Sequence, residues 1–207
     1  MLFVGTFIVV VLLLFLIPGP AVFLTISQTI KGGKKNGIVT GLGIAVGDLL
    51  HTCASVLGLS AILMTSALAF EIVKYLGAAY LIYLGISTLI DKSKKVEKPI
   101  GKNVKTNGSF HQALLIELLN PKTSLFFLAF LPQFVQNNST PVTIQLLLLG
   151  LTFVLMSIIY TTILVFLTST LGNKLIIKST QSTKWLEKVV GIVYIGLGLK
   201  LALQTQE

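Results

Sequence analysis

The chain has 207 residues, of which 54% are hydrophobic and only 11% charged, and its mean hydropathy is +0.90. A soluble domain carries about 25% charged residues, so a water-soluble globular protein is excluded and an integral membrane protein is indicated. The formal net charge of +9 comes from lysines alone, most of them in short stretches between apolar segments; that suits loops at a membrane surface and argues against nucleic-acid binding.

A helix needs about 20 residues to cross the hydrocarbon, and six stretches qualify. The first covers 2–30 and carries FLIPGPAVFL at 15–24. It lacks a positive leader region, so it reads as a span and not as a cleaved signal. Pro18, Gly19 and Pro20 break it in the middle. The freed backbone groups must face protein or a watery cavity, because lipid offers them no partner. The bland alternative is a kink that only shapes packing.

After the separator Lys31-Gly32-Gly33-Lys34-Lys35-Asn36 comes span two, 38–64. Gly43, Gly47, Ala54 and Gly58 keep one side of it small, which lets a neighbouring helix approach closely. Asp48 sits mid-span, and His51 lies three residues on, on the same helical face. An Asp–His pair in an apolar setting can hold a proton. The alternative is a structural hydrogen bond between helices. Cys53 is the single cysteine, which excludes an internal disulfide and a Cys-rich metal cage. His51 and Cys53, two apart, fall on different helical faces, so they make a poor metal pair.

Span three, 71–90, follows the separator at 65–70 and contains Lys74, Gly77 and Tyr80 as KxxGxxY. The stretch 91–109, rich in Lys, Asn, Gly and Ser, reads as a linker. Span four, 111–134, is broken at Asn120-Pro121, with Glu117 before the break and Lys122 after it. An ammonium at the start of the second half-helix adds to the positive end of its dipole, making a seat for a substrate carboxylate. Asn120 offers both donor and acceptor. Alternatively, Lys122 snorkels to the interface or pairs with Glu117. Spans five and six, 142–170 and 185–204, complete the set, and span six repeats the motif as Lys188, Gly191 and Tyr194. Tyr80, Tyr160, Tyr194 and Trp185 read as packing residues or interface anchors.

Lysines crowd the loops after spans one, three and five and are almost missing from the others. The positive-inside rule then places those loops in the cytoplasm and both termini outside. KxxGxxY recurs after 114 residues, and a proline break opens the first span of each half. Three spans per half is an odd number, so the halves insert in opposite senses, a construction common in secondary transporters. The expectation is an all-α membrane protein, a single domain over 1–207. It has six transmembrane helices as two inverted three-helix repeats, about 1–90 and 110–207, joined by the linker 91–109.

Taken together, Pro18-Gly19-Pro20, the run Gly41-Leu42-Gly43 to Gly47-Asp48, Leu76-Gly77-Ala78-Ala79-Tyr80, Asn120-Pro121-Lys122 and Leu131-Pro132-Gln133-Phe134 resemble the LysE/RhtB family of amino-acid exporters. The resemblance covers essentially the whole chain. It implies a multi-pass carrier of the bacterial inner membrane that exports amino acids or their derivatives in exchange for protons. Carried over by position, Pro18, Gly19, Pro20, Asn120, Pro121 and Lys122 match the two helix-break motifs. Asp48 stands where many members carry an acid in helix two. Some relatives also carry an aspartate in helix five, where this chain has Ser157. Substrate binding is therefore expected at the two breaks, and proton coupling at Asp48, His51 and Glu117. No cofactor and no metal are expected, and the chain shows no phosphate-binding loop and no enzyme-like constellation. The partners are a small-molecule substrate, protons and the bilayer, and a homo-oligomer is compatible with the sequence. Two other readings stand beside this one. One is a divalent-metal exporter of cadmium type with the same architecture. The other is an intramembrane enzyme or non-transporting scaffold.

Overall fold

The computed structural model describes residues 2–17, 19–59, 67–90, 106–136 and 140–171, with positions 188, 191, 192, 195, 196, 198, 199, 202 and 203. Every regular element among them is helical. In chain order they are α1 (Leu2–Leu16), α2 (Pro20–Ala54, continued by a π-turn over Ser55–Leu59), α3 (Ala67–Ile90), α4 (Thr106–Leu118), α5 (Pro121–Leu125) and α6 (Val142–Leu171). A π-turn over Phe126–Phe130 and a 3-10 turn over Leu131–Phe134 follow α5. By length and composition, Pro20–Gly58 and Val142–Thr170 can cross a membrane, and Ser109–Leu118 with Pro121–Phe134, bent by 44°, makes a third.

The first of these is not one straight rod. Gly33 has φ 73° and ψ −173°, a backbone region open essentially to glycine alone. A Cβ added at Gly37 would run into the Thr29 hydroxyl. Residues eight apart in an unbroken helix are about 12 Å apart along the axis, so the chain doubles back at Gly33. The lysine-rich stretch 31–36, expected to be a loop, is therefore helical on both sides of a one-residue reversal. Helix α4 likewise starts at Thr106, inside the expected linker. The remainder of that linker, 91–105, lies outside the described residues, as do Trp185 and Tyr194.

In lipid, apolar burial does not pull helices together, and close packing of small residues does much of that work. The limb of α2 after Gly33 shows this on two sides. A Cβ at Gly43 would meet the Phe110 carbonyl at 2.5 Å and Ala113 at 2.9 Å, and one at Gly47 would meet Glu117 at 2.8 Å. This limb therefore runs alongside α4 in the same direction. A Cβ at Gly37 would meet Val165 at 2.8 Å, one at Gly41 would meet Thr161 at 3.1 Å, and Gly150 abuts Thr52. Those pairs run in opposite directions, so α6 is antiparallel to the limb. Helix α3 meets the last helix, of which only the helical positions between 188 and 203 named above are described, the same way: a Cβ at Gly85 would touch the Gly191 carbonyl at 2.6 Å, and one at Gly198 the Ala78 carbonyl at 2.9 Å.

Helix α1 is apolar all round, yet only one stripe of it is covered. Phe7, Val10, Val11, Leu14 and Phe15 are buried, while Val9, Leu12 and Leu16 are exposed. The spacing i, i+3, i+4, i+7, i+8 is that of one helix face. This stripe joins Phe126, Phe127, Phe130 and Phe153 in a single core. Ring centroids lie 5.1 Å apart for Phe15–Phe153, 5.1 Å for Phe126–Phe153 and 4.9 Å for Phe127–Phe153. The cluster fixes α1 against the turns that follow α5, and so sets where the two broken segments meet.

Candidate functional site

The break after α4 is built from local hydrogen bonds. Asn120 leaves the helical region (φ −74°, ψ 108°), and Pro121 opens α5 at the position where a missing N–H costs nothing. The Asn120 side-chain oxygen accepts the Lys122 backbone N–H at 3.2 Å, a helix N-cap. Its amide nitrogen turns back to the Glu117 carboxylate, at 3.4 and 3.3 Å from the two oxygens. The Thr123 hydroxyl also donates to Glu117. Glu117 is only 3% exposed, and both its oxygens are engaged.

The break before α2 is made differently. Gly19 caps the helix with extended backbone (φ −107°, ψ −179°) and offers no side-chain acceptor; Pro20 again occupies the first helical position. Pro18 lies outside the described residues. The carbonyl end of α1 is covered from across the molecule: Lys122 Nζ donates to Leu14 O at 3.1 Å and to Ile17 O at 3.1 Å. A Cβ on Gly19 would stand 3.3 Å from the same nitrogen. The two breaks, far apart in sequence, thus form one junction. The sequence reading put Lys122 at the positive end of α5; its ammonium in fact reaches the negative end of α1, a favourable place for a cation. It donates there to backbone carbonyls, so the alternative pairing with Glu117 is not the bond it forms.

Asp48 and His51 share a helix but not a hydrogen bond. His51 Nε2 lies 3.1 Å from the Glu117 backbone carbonyl, which can only accept, so that nitrogen carries the proton. The ring also stacks on Phe127, with centroids 5.7 Å apart. The expected Asp48–His51 pair is therefore not formed, because the imidazole is drawn to α4. Asp48 is 1% exposed, and neither carboxylate oxygen has a hydrogen-bond partner. Ser157, Glu117 and Lys122 face it from three helices; the Ser157 hydroxyl and the Glu117 carboxyl lie close enough to interact with it, although neither forms a hydrogen bond of good geometry. Ser157, on α6, is itself buried.

One polar cluster, buried at Gln28 and Ser109 and exposed at Gln112, was not foreseen. Gln28 Nε2 donates to Gln112 Oε1 at 3.0 Å, and the Ser109 hydroxyl donates to Gln28 Oε1 at 3.2 Å. Gln28 is 3% exposed and Ser109 fully buried, so this neutral network joins α2 to α4 near the lysine-rich ends. The available signal was a glutamine inside an apolar run, TISQTI at 25–30. Among the described residues, no three of His, Cys, Asp and Glu come together, and Cys53 is exposed.

Lys122, the start of α2, the start of α5 and Asp48 bring positive and negative groups to one junction, with Asp48 buried, Lys122 half-buried and Pro20 and Pro121 exposed. Such an arrangement can take a small zwitterion: carboxylate towards the ammonium and the half-helix N–H groups, amine towards the acid.

Comparison with known proteins points the same way. The family model described as LysE type translocator matches residues 12–205. The chain is 33% identical over 199 residues to an uncharacterized membrane protein, YrhP, of Bacillus subtilis strain 168, covering 91% of this chain and 92% of that one. It is 27% identical over 205 residues to a leucine efflux protein of Salmonella typhimurium strain LT2, covering 95% and 93%. It is also 30% identical over 211 residues to an uncharacterized membrane protein, PA4757, of Pseudomonas aeruginosa, covering 97% and 94%. No solved structure matches it.

Proposed function

This membrane protein belongs to the LysE type translocator family, and from that premise we propose that it exports amino acids from the cytoplasm in exchange for protons. The observation that carries the reading is the Lys122 ammonium of one helix break seated on the carbonyl end of the other. Two of its three N–H donors are committed there, leaving one for a substrate carboxylate. The N–H groups at the start of α2 have no acceptor within their own helix and add to the same anion seat, whereas at α5 the Lys122 N–H is already taken by Asn120. Glu117 and Asn120 hold the second break in shape; Gly19 gives Lys122 room at the first. The aromatic core beside the junction, together with the leucine efflux relative, favours amino acids with apolar side chains.

The same reading carries six membrane crossings as two inverted repeats, with both termini outside. The reversal at Gly33 and the antiparallel glycine contact of α3 with the last helix are consistent with it. A cysteine introduced at Ser93, with Cys53 replaced, should resist membrane-impermeant thiol reagents in intact cells; labelling there overturns the orientation.

Export is tested with the purified protein in proteoliposomes. Vesicles loaded with labelled leucine should empty faster when a proton gradient directed into them is imposed, and counterflow across the twenty amino acids should favour apolar ones. Efflux indifferent to the gradient rejects proton exchange, and failure to carry any amino acid rejects the assignment.

A further inference from the structure

Two acids lie at the junction, and their surroundings differ in kind. Glu117 accepts from Asn120 and Thr123, and its backbone carbonyl accepts from His51. Both its carboxylate oxygens are engaged in holding the second break. Asp48 is buried just as deeply, with the Ser157 hydroxyl and the Glu117 carboxyl beside it, but neither of its oxygens is in a hydrogen bond of good geometry. A buried polar atom without a partner is costly to leave so, and a carboxylate in that state awaits a proton or a cation.

Resting on the export reading above, we infer that Asp48 is the seat of the substrate's α-ammonium group, and that the coupled proton occupies the same carboxylate, so that proton and substrate exclude one another. The charged and titratable groups around Asp48 fit this division. Lys122, from α5, is anchored to the α1 carbonyls and serves the carboxylate end of a zwitterion. Glu117, from α4, is held by its own donors, and His51, on α2 itself, is bound to the Glu117 carbonyl. Ser157, from α6, is neutral and can donate to or accept from whatever Asp48 binds.

The exchange balances. On the cytoplasmic side one O–H bond of Asp48 breaks, the proton passes to water, and one ammonium cation takes its place. On the outer side a proton returns to Asp48 and the amino acid leaves. Each replacement exchanges one cation for another at Asp48; the zwitterion's own carboxylate brings one further negative charge, which faces the Lys122 ammonium, so the Asp48–Lys122 pair with its occupant goes from one net positive charge to none when the amino acid replaces the proton. No bond within the substrate changes.

Calorimetry of leucine binding to the purified protein, in buffers of different ionisation heat, counts the protons released. On the acid side of the Asp48 titration, one proton should leave per leucine bound. The apparent Kd should rise about tenfold for each further unit of acidification, as competition for one site requires. 4-Methylpentanoate has leucine's carboxylate and side chain but no ammonium, and should bind without releasing a proton. Asp48→Asn should bind leucine more weakly, release no proton and show no pH slope. Leucine binding without proton release from the wild-type protein, or release unchanged in Asp48→Asn, overturns the inference while leaving export intact. So does proton release by 4-methylpentanoate equal to that by leucine. Should Asp48→Asn not fold, the wild-type pH slope and the 4-methylpentanoate arm decide. A wild-type protein that neither binds nor carries any amino acid fails the export reading instead.

Discussion

The two helix breaks have the same sequence logic and opposite structural economies. Each puts a proline at the first helical position after an extended residue. At 117–123 the polar groups are settled among neighbours in sequence: Asn120 caps Lys122, and Asn120 and Thr123 hold Glu117. At 14–20, among the described residues, no neighbouring side chain does this. Gly19 has no side chain to cap with, and the carbonyls of Leu14 and Ile17 depend on an ammonium from the other break. The second break can stand without the first, but the first cannot stand without the second. A junction of this kind has one self-supporting side and one dependent side. The dependent side is the one that any change at Lys122 would release.

The largest effect is therefore expected from Lys122→Met. It leaves two carbonyls without a donor, at about 1–3 kcal/mol for each buried acceptor that finds no other partner, and removes the charge for a substrate carboxylate. Leucine efflux should fall by at least about tenfold, with a lower melting temperature for the purified protein. Lys122→Gln separates the two roles. If the ammonium binds substrate, the preference for leucine over leucinamide should shrink, and Lys122→Arg should not fully restore it, because the guanidinium is larger and differently shaped. A preference unchanged in folded Lys122→Gln protein would confine Lys122 to bracing the first break.

Asn120→Ala attacks the self-supporting side and should cost less. Loss of an N-cap is worth about 1 kcal/mol, and Glu117 loses one donor while keeping Thr123. Thermal stability should drop, while the preference for acid over amide stays. A change in that preference would mean the second break is as dependent as the first. Smallest of all is Gly19→Ala. Its Cβ would stand 3.3 Å from Lys122 Nζ, so the ammonium must give by a few tenths of an ångström. A two- to fivefold loss of leucine affinity, on the order of 0.5–1 kcal/mol, is expected. In the Lys122→Met background the same change should do almost nothing, since the coupling between contacting residues is what a double-mutant cycle isolates. Additive losses would deny the contact.

Much of this was legible in the sequence. The apolar runs, the two proline breaks and the buried acid at Asp48 are local signals, and membrane insertion makes them loud because a charge or a broken backbone in lipid is expensive. What could not be read was which distant partner each group takes. Lys122 has a long, flexible side chain, and nothing in NPK says that it crosses to Leu14 and Ile17 and not to Glu117. His51 lies on the face of Asp48, yet the spacing cannot reveal that a carbonyl on α4 is in reach. The stretch 31–36 looked like a loop because glycines and lysines break apolar periodicity; one glycine in a special conformation suffices, and its neighbours remain helical. The Gln28–Gln112–Ser109 network escaped because neutral side chains draw less notice than charges.

That single-residue reversal bears on how the protein is made. With Gly33 as the whole turn and Thr29 already against Gly37, the limbs on either side have no slack to enter the bilayer one at a time. On the orientation proposed above, they would be threaded by the insertion machinery as a preformed helical hairpin, with Lys31, Lys34 and Lys35 held back at its tip by the cost of translocating them. The tip thereby sets the depth at which the first broken segment comes to rest, and so the level at which Lys122 will later find it.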